Sequence, residues 1–347
     1  MADGAPGDGG ETLAGLDLMR GRVERTYAFL EDLIEGLPLP TAHKGLLRAH
    51  LGEAGEEARA VPRMSAVHVP LLVHASIAGD EEPALPLAAA CVAFYLGLDL
   101  QDSILDDELS GLWRDRGAGG AELVAASLYG ALPQLSLDRL RERGVPPGRL
   151  WTLTRQFADA LLAVTAGQHE DLLGSDLRDV SLEDCRAVNE ARSGAAYALL
   201  ARAGATLATE DSRRIEAYAA FGLCYGSARQ LINDVHGIWA EAASRDILNG
   251  RRTFPIAHAM TVLDGDRRER LLELLARARE SAEHHDEVRE TLSAAGSARY
   301  ADSIVWFYRE QARKHLAAAS PGGPAGRELR ALLDGVSILS QASAERA

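Results

Sequence analysis

The chain has 347 residues, 47% of them hydrophobic and 25% charged, and a net charge of -14. That balance is ordinary for a globular protein with a sizeable core. The acidity excludes a nucleic-acid backbone as partner, because no basic run is available to neutralise a row of phosphates. Cys91, Cys185 and Cys224 stand far apart with no C-x-x-C, which fits buried thiols in a reducing compartment.

The opening M-A-D-G-A-P-G-D-G-G is acidic and Gly-rich, unlike a secretory signal, and residues 1–15 are expected to form a disordered tail. Beyond it, apolar residues recur at helical spacing and no run alternates as a strand does. Helices are predicted over 20–36, 42–58, 63–78, 84–109, 120–132, 148–173, 182–207, 211–242, 253–264, 267–293, 297–318 and 325–341. The breaks, such as L-P-L-P-T (37–41) and S-P-G-G-P-A-G (320–326), are too short for interdomain linkers, so one all-α domain is expected over 16–342. The longest uncharged stretch, Pro83 to Leu98, is short and Ala-rich for a bilayer span and reads as a buried helix. No stable membrane insertion is expected, and the location expected is cytoplasmic.

That buried stretch ends in D-L-Q-D-S-I-L-D-D-E, residues 99–108, and no Lys or Arg occurs between Arg63 and Arg114. Asp99, Asp102 and Asp106 are spaced by three and then four, so they share one helix face. Each like-charge pair at that spacing costs roughly 0.2–0.5 kcal/mol. A cluster of this kind either faces water or awaits a cation.

A second polar face lies in Q-L-I-N-D-V-H-G-I-W-A-E, residues 230–241. Asn233, Gly237 and Glu241 fall at i, i+4 and i+8, with Gln230 and Asp234 beside them. Amide and carboxylate oxygens are hard ligands, suited to Mg2+ rather than zinc. Arg245, Arg251 and Arg252 follow closely. Upstream, G-Q-H-E-D-L puts Gln168 and Asp171 on one helix, and Arg192-Ser193 lies on another. Acidic stripes alternating with isolated arginines suit a diphosphate ester held by Mg2+ and capped by guanidinium groups. A ferritin-like di-iron bundle is excluded, because no His has a Glu three positions before it.

Taken together, these segments resemble the trans-isoprenyl diphosphate synthase (polyprenyl synthetase) family over nearly the whole chain. D-S-I-L-D (102–106) is similar to that family's D-D-x-x-D, with Ser103 for the second Asp. G-Q-H-E-D-L (167–172) matches G-Q-x-x-D-L, and Arg192-Ser193 falls where the family has Lys-Thr. Q-L-I-N-D-V-H-G (230–237) resembles F-Q-x-x-D-D-x-x-D, and D-I-L-N-G-R-R-T-F-P (246–255) resembles D-L-x-x-G-K-x-T-x-P. The resemblance implies a single-domain antiparallel helical bundle of the isoprenoid synthase (class I terpene synthase) type around a deep apolar cavity. It also implies Mg2+ on Asp102 and Asp106, diphosphate or allylic-chain contacts from Arg192, Gln230 and Arg251, and a homodimer.

Departures from the family pattern are informative. Its basic G-G-K-R-x-R-P becomes A-V-P-R-M-S-A (60–66), which keeps Arg63 alone, and its R-R-G becomes W-R-D-R-G (113–117). The second motif lacks its first and last Asp. What remains, with Glu241, resembles the N-D-x-x-S-x-x-x-E motif of class I terpene cyclases, with Gly237 for the Ser. The expected function is therefore a Mg2+-dependent terpene cyclase acting on a prenyl diphosphate such as farnesyl or geranylgeranyl diphosphate. Asp102 and Asp106 would hold two ions; Asn233 and Glu241 would hold a third, with Asp234 a further ligand and Gly237 acting through water at most. Arg192, Arg251 and Arg252 would clamp the diphosphate, with Gln168, Asp171, Ser193 and Gln230 around it. Phe94, Tyr95 and Trp239 would line the pocket, and Gly97 and Leu98 would set its depth. The alternatives are prenyl transfer, to isopentenyl diphosphate or another acceptor, and a noncatalytic subunit or regulator.

Overall fold

A computed structural model describes residues 13–61, 64–109, 111–173, 181–240 and 244–338. Helices account for nearly all of them, and no strand occurs among the described residues. Arg63 and Glu241 lie outside the described residues, as do residues 1–12 of the expected tail. Helix α1, Leu13–Glu35, starts inside that expected tail, because Leu16 and Met19 extend the apolar face of Val23 backwards at helical spacing. The chain groups into two compact units, residues 1–71 with 82–144, and residues 72–81 with 145–347.

The first unit holds α1, α2 (Thr41–Ala60), the start of α3 (Ser65–Ala78), α4 (Leu85–Leu105), α5 (Ala118–Ala126) and α6 (Leu132–Glu142). Its core includes Val23, Tyr27, Leu47, Leu51 and Phe94. Helix α4 is apolar all round and is buried all round from Leu85 to Phe94. The stretch Glu82–Leu105 is long and apolar enough to cross a membrane, but 78% of its apolar window is packed inside the protein. Helix α4 ends at Leu105, short of the predicted 109: Asp106 caps it and Asp107 turns left-handed at φ 57°. Three consecutive acids at a helix C-terminus oppose the helix dipole, and Asp tolerates the left-handed turn.

Downstream, the helix predicted over 120–132 continues through a π-helical segment, Ser127–Ala131, into α6, which the sequence reading missed. Pro133 sits in the first turn of α6, where a proline is tolerated.

The second unit holds the end of α3 and helices α7 (Pro147–Leu173), α8 (Leu182–Asn189), α9 (Ala195–Ala208), α10 (Ser212–Trp239), α11 (Arg245–Leu248), α12 (Phe254–Val262), α13 (Gly265–Glu280), α14 (His285–Ala294), α15 (Ser297–Ala319) and α16 (Gly323–Asp334). A second π-helical segment, Glu190–Gly194, joins α8 to α9. Helix α10 is the centre, packing along α9 and α15. Its approach to α9 is close: a Cβ built on Gly222 would lie 2.3 Å from the Tyr197 carbonyl oxygen, and one on Gly226 2.6 Å from that of Ser193. The predicted 267–293 helix is two, because Ser281 is extended and its Oγ accepts the Glu283 N–H at 3.3 Å, restarting the chain. Helices α11 to α14 share an apolar cluster with the end of α10, built on Ile238, Ile247, Ile256, Leu271, Leu275 and Val288.

Candidate active site

In the first unit, the acidic end of α4 carries Asp102 and Asp106, both half-buried, with Asp99 one turn earlier. Asp99 touches solvent but is crowded by protein, and poor hydration raises its carboxyl to about 6, helped by the charges of Asp102 and Glu57. Glu57, on α2, is a member of this group that the sequence reading missed. Ser103, which stands where the family has its second Asp, spends its hydroxyl on the Asp99 carbonyl at 3.1 Å. The loop after the motif is pinned to α2: Trp113 Nε1 donates to His50 Nδ1 at 3.2 Å, and the Leu112 N–H donates to Glu53 Oε1 at 3.1 Å. Burial holds His50 below its usual pKa, so it stays a neutral acceptor for Trp113.

In the second unit, two arginines converge on one carboxylate. Arg192 Nη1, in the π-helical segment, donates to Asp171 Oδ2 on α7 at 2.5 Å. Arg252 Nη2 lies 3.8 Å from Asp171 Oδ1 and donates to the carbonyls of Glu170 and Asp171, each at 3.2 Å. The contact depends on Gly167, where a Cβ would meet the Ala191 Cβ at 2.9 Å and the Arg192 Cγ at 3.0 Å. Two guanidinium groups thus meet on one carboxylate, with the Asp234 carboxyl also within electrostatic reach of Arg192. Arg252 Nε is a buried donor with no hydrogen-bond partner among the described residues. Gln168 lies half-buried on α7, one turn before Asp171. An anion is the ligand this group suits.

A polar relay runs beside it. Ser193 Oγ donates to Gln230 Oε1 at 2.9 Å, and Gln230 Nε2 donates to Asp234 Oδ1 at 2.9 Å. The other oxygen, Asp234 Oδ2, accepts the Phe254 N–H at 3.0 Å and so fixes the start of α12. Asp234, proposed from sequence as a metal ligand, thus gives one oxygen to each of two protein donors. Burial pushes its carboxyl upward, against those hydrogen bonds. Cys185 Sγ donates to the Arg252 carbonyl at 3.5 Å, and burial pushes the thiol up to about 12, so it is inert. Arg251 Nε lies 3.7 Å from Asp246 Oδ1, and Arg279 Nη2 holds the Gly250 carbonyl at 3.1 Å. Arg279 is a support that sequence spacing did not reveal, since it lies 27 positions beyond Arg252. Asn233 is exposed and Gly237 half-buried on α10.

The residues expected to line a pocket are placed differently from one another. Phe94 is buried in the first unit's core, while Tyr95 and Leu98 are half-buried. Gly97 is where α4 meets the π-helical segment: a Cβ there would lie 2.6 Å from the Tyr129 nitrogen and 2.9 Å from the Ala125 carbonyl oxygen. Trp239 packs on the apolar cluster of α11 to α14. Among the described residues, no three His, Cys, Asp or Glu side chains come together in a group able to hold a metal. The acidic end of α4 still fits a hard divalent cation in kind: its donors are carboxylate oxygens, and the charges of Asp102 and Glu57 add to the poor hydration that raises Asp99.

Comparison with known proteins decides the family. The polyprenyl synthetase family model matches residues 123–292, taking in Gln168, Asp171, Arg192 and the 230–255 segment. The chain belongs to the polyprenyl synthetase, or trans-isoprenyl diphosphate synthase, family. It is 25% identical over 264 residues to geranylfarnesyl diphosphate synthase from Aeropyrum pernix, covering 73% of this chain and 81% of that one. It is 25% identical over 203 residues to geranylgeranyl diphosphate synthase from Mycobacterium tuberculosis, covering 54% of this chain and 57% of that one. The fold is that of geranylgeranyl pyrophosphate synthetase from Pyrococcus horikoshii Ot3, with a TM-score of 0.78 at 21% identity, over 92% of this chain and 97% of that one. It is also similar to geranylgeranyl pyrophosphate synthase from Corynebacterium glutamicum in complex with isoprenyl diphosphate and magnesium, with a TM-score of 0.70 at 20% identity over 92% and 97%. All-α, bundle-type architecture is thereby established. These relatives are named as prenyl diphosphate synthases, so the cyclase expectation gives way to the transfer alternative.

Proposed function

We propose that the protein is a trans-prenyltransferase that takes an allylic prenyl diphosphate as donor and isopentenyl diphosphate as acceptor. The observation that carries this is the meeting of Arg192 and Arg252 on Asp171, within the family's own motifs. A diphosphate carries roughly two or more negative charges, which these guanidinium groups would hold by charge-assisted hydrogen bonds. Arg251, Gln230 and Ser193 extend the same polar surface. Asp102 and Asp106 in the first unit, and Asn233 in the second, are the residues that would hold Mg2+, in keeping with the relative bound to isoprenyl diphosphate and magnesium. When bound, Mg2+ neutralises the leaving group.

In the proposed reaction the bond between C1 of the allylic chain and its diphosphate oxygen breaks, and the electron pair leaves with the diphosphate. The double bond of isopentenyl diphosphate then supplies the pair for a new carbon–carbon bond at C1. A proton lost from the adduct restores the double bond, giving a chain one unit longer and inorganic pyrophosphate. Arg192 and Arg252 serve this chemistry by orienting the leaving diphosphate, and Asp171 keeps both guanidinium groups in place.

The test is incubation with Mg2+ and geranyl, farnesyl or geranylgeranyl diphosphate, with and without isopentenyl diphosphate, analysing hydrocarbons and diphosphates together. A longer diphosphate that appears only with isopentenyl diphosphate is the expected result. Hydrocarbon or alcohol released from a single substrate would restore the cyclase, and no turnover with any acceptor would favour a noncatalytic subunit.

A further inference from the structure

Between α8 and α9 the helix does not stop but widens, over Glu190–Gly194, into the π-helical segment that carries Arg192. Such turns are rare inside helices and recur at functional sites. One residue on an α-helix is a rotation of about 100°. A slip of the segment into α-helical register would therefore swing the residues on one side of it away from their partners.

Those partners lie on three helices. Asn189 Nδ2 donates to the Ser227 carbonyl of α10 at 3.1 Å, and Ser193 Oγ donates to Gln230 of the same helix. Gly194 is pressed against α10, where a Cβ would lie 2.9 Å from Ser227 Oγ. Ala191 and Arg192 lie against Gly167 of α7, and Arg192 reaches Asp171. Glu190 is tied to a third helix: its Oε1 accepts the Tyr308 hydroxyl of α15 at 2.6 Å, and also Arg186 Nε, one turn back, at 3.0 Å.

Tyr308 is buried. A buried phenol needs an acceptor, and a carboxylate gives the stronger, charge-assisted bond. Burial also pushes the phenol upward, so it stays a donor at any working pH. Tyr308 stands 118 positions from Glu190 and beyond the residues that the family model matches. A tie that served packing alone would do as well elsewhere on α15. This one falls on the first residue of the π turn, two before Arg192.

We propose that Tyr308 is a positioning residue of the anion site: through Glu190 it fixes the π register that aims Arg192 at Asp171 and at a bound diphosphate. This rests on the reading of Arg192 as a diphosphate donor, and it extends the site to a helix that carries none of its motifs.

The experiment measures binding of inorganic pyrophosphate in the presence of Mg2+ by calorimetry, at a temperature where every variant is folded. Tyr308→Phe keeps the ring and removes the hydroxyl; it should weaken binding roughly threefold to tenfold, the size of one hydrogen bond's contribution. Arg192→Ala should weaken it further. In the Arg192→Ala background, Tyr308→Phe should add less than about a twofold change, because its effect passes through the guanidinium. A role in packing alone gives no such coupling. Glu190→Gln, whose amide oxygen still accepts from the phenol, should retain more binding than Tyr308→Phe. Wild-type affinity in Tyr308→Phe, with the loss in Arg192→Ala intact, overturns the proposal and leaves the diphosphate reading standing. The same Tyr308→Phe loss with and without Arg192 also overturns it, as does a Glu190→Gln variant as weak as Tyr308→Phe. Arg192→Ala with wild-type affinity, or a wild type that binds no pyrophosphate, sinks the diphosphate reading and the proposal with it.

Discussion

Arg192 Nη1 and Asp171 Oδ2 meet at 2.5 Å because Gly167 lets the π-helical segment press onto α7. Arg192→Ala removes one donor from the proposed diphosphate site while leaving Asp171 its second partner, Arg252. Stability should change by no more than about 1 kcal/mol, since the pair is partly solvated. Turnover should fall roughly a hundredfold or more, as for the loss of a donor to developing charge. Steady-state kinetics and a melting curve on one preparation separate the two effects. Comparable losses in both would mean that the pair is mainly structural.

Gly97 gives a prediction that distinguishes packing from pocket depth. A methyl group there would press into backbone atoms of Ala125 and Tyr129 rather than into a flexible side chain. Gly97→Ala should therefore destabilise the protein by about 1–3 kcal/mol through overpacking. Denaturant unfolding reads this directly. A variant of unchanged stability that makes a shorter product would return Gly97 to the pocket wall.

The all-α class and nearly every helix were legible because burial imposes a period of 3.6 on the sequence, and the rule holds without knowing neighbours. Helix ends were less legible. No helix was predicted over Leu132–Glu142, where Pro133 only opens the first turn, and the acids at 106–108 looked helical until their conflict with the α4 dipole is considered. In the site, Asp171, Arg192, Gln230 and Asp234 were readable from motif spacing. Glu57, Asp246 in its place over Gly237, Arg279 and the Tyr308 anchor were not, since each depends on which helices pack together. Gly237 shows the limit most clearly. In sequence it is a lost ligand, whereas in space it is a notch occupied by another residue's carboxylate.

Asp99 predicts a pH dependence with a definite sign. Its carboxyl is raised in the fold to about 6, while an unfolded chain has it near 3.9, so the folded state holds the proton more tightly. Its contribution to stability is then most favourable at low pH, declines as pH rises between about 4 and about 6, and is level above. Asp99→Asn should raise the melting temperature at pH 7.5 and leave it unchanged near pH 4, in buffer free of divalent cations. Adding Mg2+ to the wild type at pH 7.5 should reproduce part of the gain, because a cation at Asp102 relieves the same crowding. A variant less stable than wild type at pH 7.5 would show that the Asp99 charge is favourably paired in the fold.

Asp234 separates structural from metal-linked roles through the direction of its hydrogen bonds. Asp234→Ala leaves the Phe254 N–H and Gln230 Nε2 without their acceptor and should cost about 1–3 kcal/mol per donor left buried. Asp234→Asn is different. Its amide oxygen can still accept from Phe254, and its amide nitrogen faces Gln230, which can turn over to accept through Oε1. Gln230 then donates through Nε2 to Ser193, whose hydroxyl serves equally as donor or acceptor. The relay runs backwards with every group satisfied, so Asp234→Asn should keep the wild-type melting temperature to within about 1 kcal/mol. If Asp234 serves only to fix α12, Asp234→Asn also keeps wild-type activity and Mg2+ dependence. If its charge also serves the cation, the Mg2+ concentration for half-maximal activity rises in Asp234→Asn while melting does not move. Denaturant unfolding and a Mg2+ titration of activity, run on Asp234→Asn and Asp234→Ala together, assign the residue to one role or the other.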